Sequence, residues 1–289
     1  MNSCVNINDF NVLVYDVHGR ARLMHNIRYI RLSKSADGAR LTLRFRDGLA
    51  DKAERIVVNF AYNEFFSGYI LSQSYSRKGR QRDIEITAED ELGRMHRYEA
   101  RPGILINPTA GYIEEKYLRQ FGFSVAEDFS LMGEMNILLG TSVYELMRMI
   151  GSFFFGREPT VVGKKISFTG NNGAERIRLR TPHELYISED ISKLCSAVFI
   201  FDAERDRFTN SKMGECTIGI EKYFPSVDTV EKENLSRVKN IRLKYNGLVV
   251  LPEIGTIAEA ERFTFRVDKS LLVFDSSGMY SAAEGKEIK

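Results

Sequence analysis

Three consecutive acids, Glu89, Asp90 and Glu91 in the stretch AEDELGRM, are the residues of this chain best suited by type to acid–base chemistry. Paired carboxylates act as acid and base when their surroundings drive their pKa values apart. Neighbouring side chains diverge along a backbone, however, so three in a row do not converge on one reacting atom. The spacing therefore reads as a strand end followed by a turn, with solvated acids. A hydrolase using Glu89–Glu91, or Asp202 with Glu204, is the catalytic alternative. Just upstream, Arg77, Lys78, Arg80 and Arg82 crowd the tip SRKGRQR. They suit a soluble hairpin end that discourages edge pairing, or alternatively a contact with an acidic partner surface or with nucleic acid.

Other chemistry is sparse. His18, His25, His96 and His183 show no helical metal-pair spacing and no ligand-like neighbour, which predicts exposed or turn histidines. Cys4, Cys195 and Cys216 are odd in number and far apart, which predicts buried free thiols in a reducing compartment. No G-x-S-x-G elbow or G-x-G-x-x-G loop occurs. GREPTVVGKK spaces its glycines too widely for a phosphate loop and lacks the hydroxyl residue after its lysine. No catalytic residue, metal or cofactor is expected.

Composition narrows the class. Apolar residues make up 43% of the 289 and charged residues 28%, as in a globular protein. The net charge of +2 argues against a general nucleic-acid coat. No basic leader precedes an apolar run at the start. The longest apolar runs fall far short of the roughly 20 residues of a membrane-spanning helix. A soluble chain made in the cytoplasm is the expectation.

The elements that must position these residues follow from periodicity. In ARLTLRFRDG, Leu41, Leu43 and Phe45 alternate with Arg40, Thr42, Arg44 and Arg46, a half-buried antiparallel strand. NVLVYDV, HNIRYIRLS and ERIVVNF repeat the pattern. Gly68, Ile70 and Ser72 are placed on one face of the next strand, with Tyr69, Leu71 and Tyr75 on the other. Beyond the basic tip, Ile84, Ile86 and Ala88 form an inward row. Six short strands in about ninety residues predict a β-barrel or sandwich. The period then changes. TAGYIEEKYLRQFGF predicts a helix with Ile113, Tyr117 and Phe121 in line and Gly122 at its end. TSVYELMRMIGSFFF predicts a second, with Ser142 and Glu145 at capping-box spacing. A hairpin about Gly163 follows, and strands resume downstream. LTLRF (41–45) and IRLKY (241–245) share one apolar and basic order, a possible internal echo.

The order of these pieces resembles the baseplate hub proteins of phage tails and related contractile injection systems, the late control gene D-like family. The resemblance rests on FSGYI leading through a hairpin into IEITAEDEL, then AGYIEEKYLRQFGF, LLGTSVYELMRMIGSFFF and PTVVGKKISF. It covers roughly residues 60–170 and weakens beyond them.

That resemblance implies a β-rich α+β fold with two tail-tube-like antiparallel β-barrel domains. Residues 1–95 would form the first barrel, 96–175 a small α/β insertion, and 176–289 the second barrel with a smaller insertion. It further implies a non-enzymatic homotrimer ring joining a six-fold tail tube to a three-fold central spike. Implied partners are the tail tube and spike proteins, with tape-measure, LysM-type tail and baseplate wedge proteins nearby; membrane and specific nucleic acid are not among them. Its place would be the bacterial cytoplasm during assembly, then the virion tail or tail-like particle. No needle-like segment is read at the end of the sequence, so the spike is expected on a separate chain.

Overall fold

Alternation is carried into strands almost wherever it occurs. A computed structural model describes residues 7–46, 53–60, 63–78, 81–169, 175–190, 197–213, 221–225, 238–247, 252–276 and 278–288. The first strands are β1 (Phe10–Asp16), β2 (Ala21–Met24), β3 (Ile27–Ser35), β4 (Gly38–Phe45), β5 (Ala53–Phe60), β6 (Asn63–Lys78) and β7 (Gln81–Glu89). A helix-bearing segment follows, with α1 (Glu91–Arg97), β8 (Gly103–Ile106), α2 (Ala110–Ile113), β9 (Ser124–Val125), β10 (Glu134–Ile137), α3 (Val143–Phe155), β11 (Thr160–Val162) and β12 (Lys165–Ser167). Then come β13 (Arg176–Arg178), β14 (Glu184–Asp190), β15 (Ala197–Asp202), β16 (Arg207–Met213) and β17 (Glu221–Phe224). The last are β18 (Val238–Asn246), β19 (Ile257–Ala260), β20 (Phe263–Asp275) and β21 (Gly278–Glu287). The chain is mostly antiparallel β-sheet with few helices.

One thirteen-stranded sheet dominates, in the order β14-β18-β21-β20-β3-β4-β7-β6-β5-β1-β2, with β19 on β20 and β13 on β19. One face of this sheet holds two apolar cores. Val12, Ile30, Leu32, Leu41, Leu43 and Ile56 belong to the first. Ile241, Leu243, Ala258, Phe263, Phe265 and Val267 belong to the second. β20 serves both: its early residues enter the second core, while Leu272 and Phe274 pack into the first. A register shift between Val267 and Lys269 makes this possible. The extra residue reverses the side-chain alternation, so the buried positions change from odd numbers to even ones.

The helix-bearing segment has its own core, where Val143, Leu146, Met147 and Ile150 of α3 meet Leu118, Phe121, Ile166 and Phe168. Each such side chain, fully buried, contributes roughly 1.5–3 kcal/mol. Ser142 caps α3 by accepting from the Glu145 N–H at 3.1 Å. Gly163 adopts φ +58° in the β11–β12 hairpin.

Three local expectations change. The predicted helix from 109 is one α turn followed by a π turn (Glu114–Leu118) and a 3-10 turn (Arg119–Phe121), ending at Gly122 with φ +70°. The β6 pairing shifts between Ile70 and Ser72, so Ser72 faces Thr87 and Tyr75 faces Ile84. Tyr75 therefore leaves the face of Tyr69, and Ser72 joins it. After Glu89 the chain forms α1 instead of a solvated turn, because Asp90 caps it and Leu92 and Met95 bury against the insertion core.

Candidate assembly surface

From β14 to β7 the second face of the large sheet is a largely polar wall. Crossing it from β14, Glu184 faces Lys244, Arg242 faces Glu284, and Glu284 faces Lys269. Continuing, Lys269 faces Ser35, Ser33 faces Arg40, Arg40 faces Glu89, and Arg44 faces Glu85. Opposite charges directly across strands stabilise the pairing. Lys244 reaches Glu184 at 2.8 Å and Arg242 reaches Glu284 at 3.1 Å, while Arg44 pairs with Glu85. The Lys244 ammonium and the Tyr186 hydroxyl hold the Glu184 carboxyl below its ordinary pKa. Two depressions indent this wall. One is lined by Arg242, Lys244, Tyr280 and Glu284, the other by Arg31, Ser33, Arg40 and Thr42. Leu271 and Val273 are the apolar residues between them, and Val273 is buried.

The basic tip stands at the far end of the β6–β7 pair. Arg77 and Arg82 lie directly opposite each other and are exposed. Lys78 ends β6, but its side chain, like the whole of Arg80, lies outside the described residues. Like charges across a strand pair cost stability, a penalty that solvent and salt reduce at an exposed end.

The acid triplet is a joint. Glu89 is buried at 5% exposure and takes its charge partner from α1, bonding to Arg97. Asp90 accepts from the Gly93 N–H at 2.9 Å, and its own N–H donates to the Ala39 carbonyl at 2.9 Å. Burial raises the Asp90 pKa, against the opposing effect of that Gly93 bond. Glu91 pairs with Arg94 at 3.7 Å. Gly38 makes room for this arrangement: with φ +107°, its missing Cβ would lie 2.5 Å from the Asp90 carboxylate. Arg94 lies 4.4 Å from the Tyr69 ring on the sheet and 5.5 Å from the Phe121 ring in the insertion. Glu89 and Asp90 thus tie the sheet to α1, while Glu91 pairs within the helix.

Among the histidines, His18, His25 and His183 are exposed. His96 departs from expectation. It stacks on Tyr144 with centroids 3.9 Å apart and lies 3.9 Å from Asp37. Burial lowers its pKa. Asp202, weighed for catalysis together with Glu204, accepts the N–H groups of Glu204 at 3.1 Å and Arg205 at 3.3 Å, closing a turn. Sequence reasoning missed Glu127, which accepts from the Ser167 hydroxyl, the Phe168 N–H and both donors of Thr169. Burial opposes its ionisation, yet these bonds hold its pKa below the usual carboxylate value. Among the described residues no group of His, Cys, Asp and Glu could hold a metal ion, and no helix is long and apolar enough to cross a membrane. Cys4, Cys195 and Cys216 lie outside the described residues.

No family model and no curated protein matches the sequence. Solved structures do share the fold. A tail protein from Neisseria meningitidis MC58 aligns with a TM-score of 0.69 at 13% identity, covering 96% of each chain. The 43 kDa tail protein of prophage MuSo2 from Shewanella oneidensis gives 0.72 at 11% identity, over 97% of this chain and 98% of that one. The E. coli c3393 protein is a type VI secretion component with structural similarity to T4 bacteriophage tail proteins gp27 and gp5. It gives 0.58 at 9% identity, over 91% of this chain and 74% of its own. The chain therefore has the fold of phage tail proteins and of a type VI secretion component.

Proposed function

We propose that this chain is a structural baseplate hub of a phage tail or tail-like injection particle. Three copies form a ring that joins a six-fold tail tube to a three-fold central spike, without catalysis. One observation carries the reading: a single sheet holds two apolar cores on one face and, from β14 to β7, a largely polar and charged wall on the other. Residues 1–95 and 176–289 supply two tube-like barrels per chain, with the end of β20 and the start of β21 packing into the first, and 96–175 is the insertion between them. Two similar barrels in three chains present six similar positions to a tube while keeping three-fold symmetry for a spike. In the ring the wall lines the lumen, and heterologous head-to-tail contacts close the circle.

The tail tube protein and a central spike protein are its direct partners, with tape-measure, LysM-type tail and baseplate wedge proteins beside it. Asp90, Glu89 and Asp202, weighed for hydrolysis, are engaged as cap, clamp and turn. Light scattering of the purified chain, with negative-stain imaging, tests the reading. A trimer with a central hole is expected, and a monomer at high micromolar concentration overturns it.

A further inference from the structure

Two exposed apolar patches lie outside the polar wall, on different small sheets. The first is the outer face of the β8–β10 pair. Leu105, Met135 and Ile137 point inward and are buried, while Ile104 faces Asn136 and Ile106 faces Glu134 on the outside. Leu138 and Leu139 extend the patch beyond β10, and Met132 precedes it. These five apolar side chains are between 58% and 91% exposed. The second patch is on the β15–β16–β17 sheet. Phe201, Phe208 and Tyr223 are between 37% and 55% exposed. Phe208 lies 5.4 Å from Phe201 and 5.2 Å from Tyr223, and Tyr223 stacks on Phe199 at 5.0 Å.

Contiguous apolar patches of this kind mark interfaces, and a soluble chain seldom carries two without a use for both. A two-fold contact consumes one patch against its own copy. A head-to-tail ring consumes two different ones, each subunit offering one to each neighbour. The charges fit that second case. Glu134 borders the aliphatic patch and Arg207 borders the aromatic one; both are exposed and neither has an ion-pair partner among the described residues. An interface with an apolar centre and charged margins has the usual anatomy of a specific protein contact.

We infer that the β8–β10 face of one copy docks on the aromatic β15–β17 face of the next, with Glu134 opposing Arg207. This rests on the ring reading above and assigns the surfaces that close the ring.

The test uses two full-length variants, Ile106→Lys in the aliphatic patch and Phe208→Glu in the aromatic one. Each should be monomeric by light scattering with an unchanged far-UV circular dichroism spectrum. Mixed in equal amounts they should form a dimer of one each, because one variant keeps its aromatic face and the other its aliphatic face. If the unaltered chain is a trimer and either variant remains one, the docking assignment is wrong and the ring reading stands. Monomeric variants whose mixture yields no dimer also refute the pairing. If the unaltered chain is itself a monomer, the ring reading fails first. As a check independent of folding losses, a chain carrying both Ile106→Cys and Phe208→Cys should give a reducible ladder up to trimer. The parent chain should give none, and absence of the ladder from the doubly substituted chain counts against the contact.

Discussion

The ring of Phe10 in β1 lies 6.3 Å from that of Phe274 in β20 at an angle of 65°, although five strands separate them along the sheet. A flat sheet would hold those strands some six strand spacings apart, roughly 29 Å. The sheet therefore curls until β1 and β20 share one core. Phe274→Ala should cost about 2 kcal/mol in chemical denaturation, less than for a fully buried ring. Its cycle with Phe10→Ala should show a coupling of about 1 kcal/mol, as for aromatic pairs in contact. Additive losses would mean that the two rings act apart.

The Glu89–Arg97 clamp predicts a stability effect where a catalytic reading predicts an activity effect. Glu89→Gln weakens a buried charged bond and should cost about 2 kcal/mol. Peptidoglycan zymography should give no clearing for either the unaltered chain or the variant. Clearing that is lost on substitution would reassign the triplet to chemistry.

His96 predicts a pH dependence with a definite sign. Its pKa is lowered in the fold, chiefly by burial and further by Arg148, against the pull of Asp37 and Asp90. The unfolded chain therefore takes up a proton near pH 6.5 while the folded one resists until a lower pH. Stability should fall as pH drops from above about 6.5 to the folded value, then level off. His96→Phe retains the ring on Tyr144 and should remove that part of the slope in urea titrations. An unchanged slope would place its origin elsewhere.

Gly285 in β21 tests how tightly the second core is wound. A Cβ there would lie 1.9 Å from the Arg266 carbonyl oxygen and 2.8 Å from the Phe265 ring, so backbone must move. Gly285→Ala should destabilise by about 3 kcal/mol, at the upper end of overpacking costs. Gly111→Ala, with open space around it, serves as the control and should change little.

Much of the sheet was legible because period two survives wherever one face is buried. Leu41, Leu43 and Phe45 enter the first core, and Ile241, Leu243 and Tyr245 enter the second. The echo between LTLRF and IRLKY extends to the wall, where Arg44 pairs with Glu85 and Lys244 with Glu184. α1 was missed because only Leu92 and Met95 mark its buried face, too few for a periodicity. Its readable signals were the Asp90 cap and the bases Arg94, His96 and Arg97 in its last turn. The shifts near Leu71 and Asp268 leave no mark that local sequence reasoning uses, since an extra residue in a strand looks like any other. The pairings across the wall depend on strands distant in the chain, and periodicity is silent about those.

The division of β20 between two cores has a consequence for the order in which the molecule is made. Strands β1 to β7 leave the ribosome long before Leu272 and Phe274, yet they need those residues to complete their interior. The nascent protein must carry an unfinished, partly wetted core while the insertion and later strands are translated. Closure then comes in one late step over a very long loop, a topology that folds slowly and leaves sticky surface exposed in the meantime.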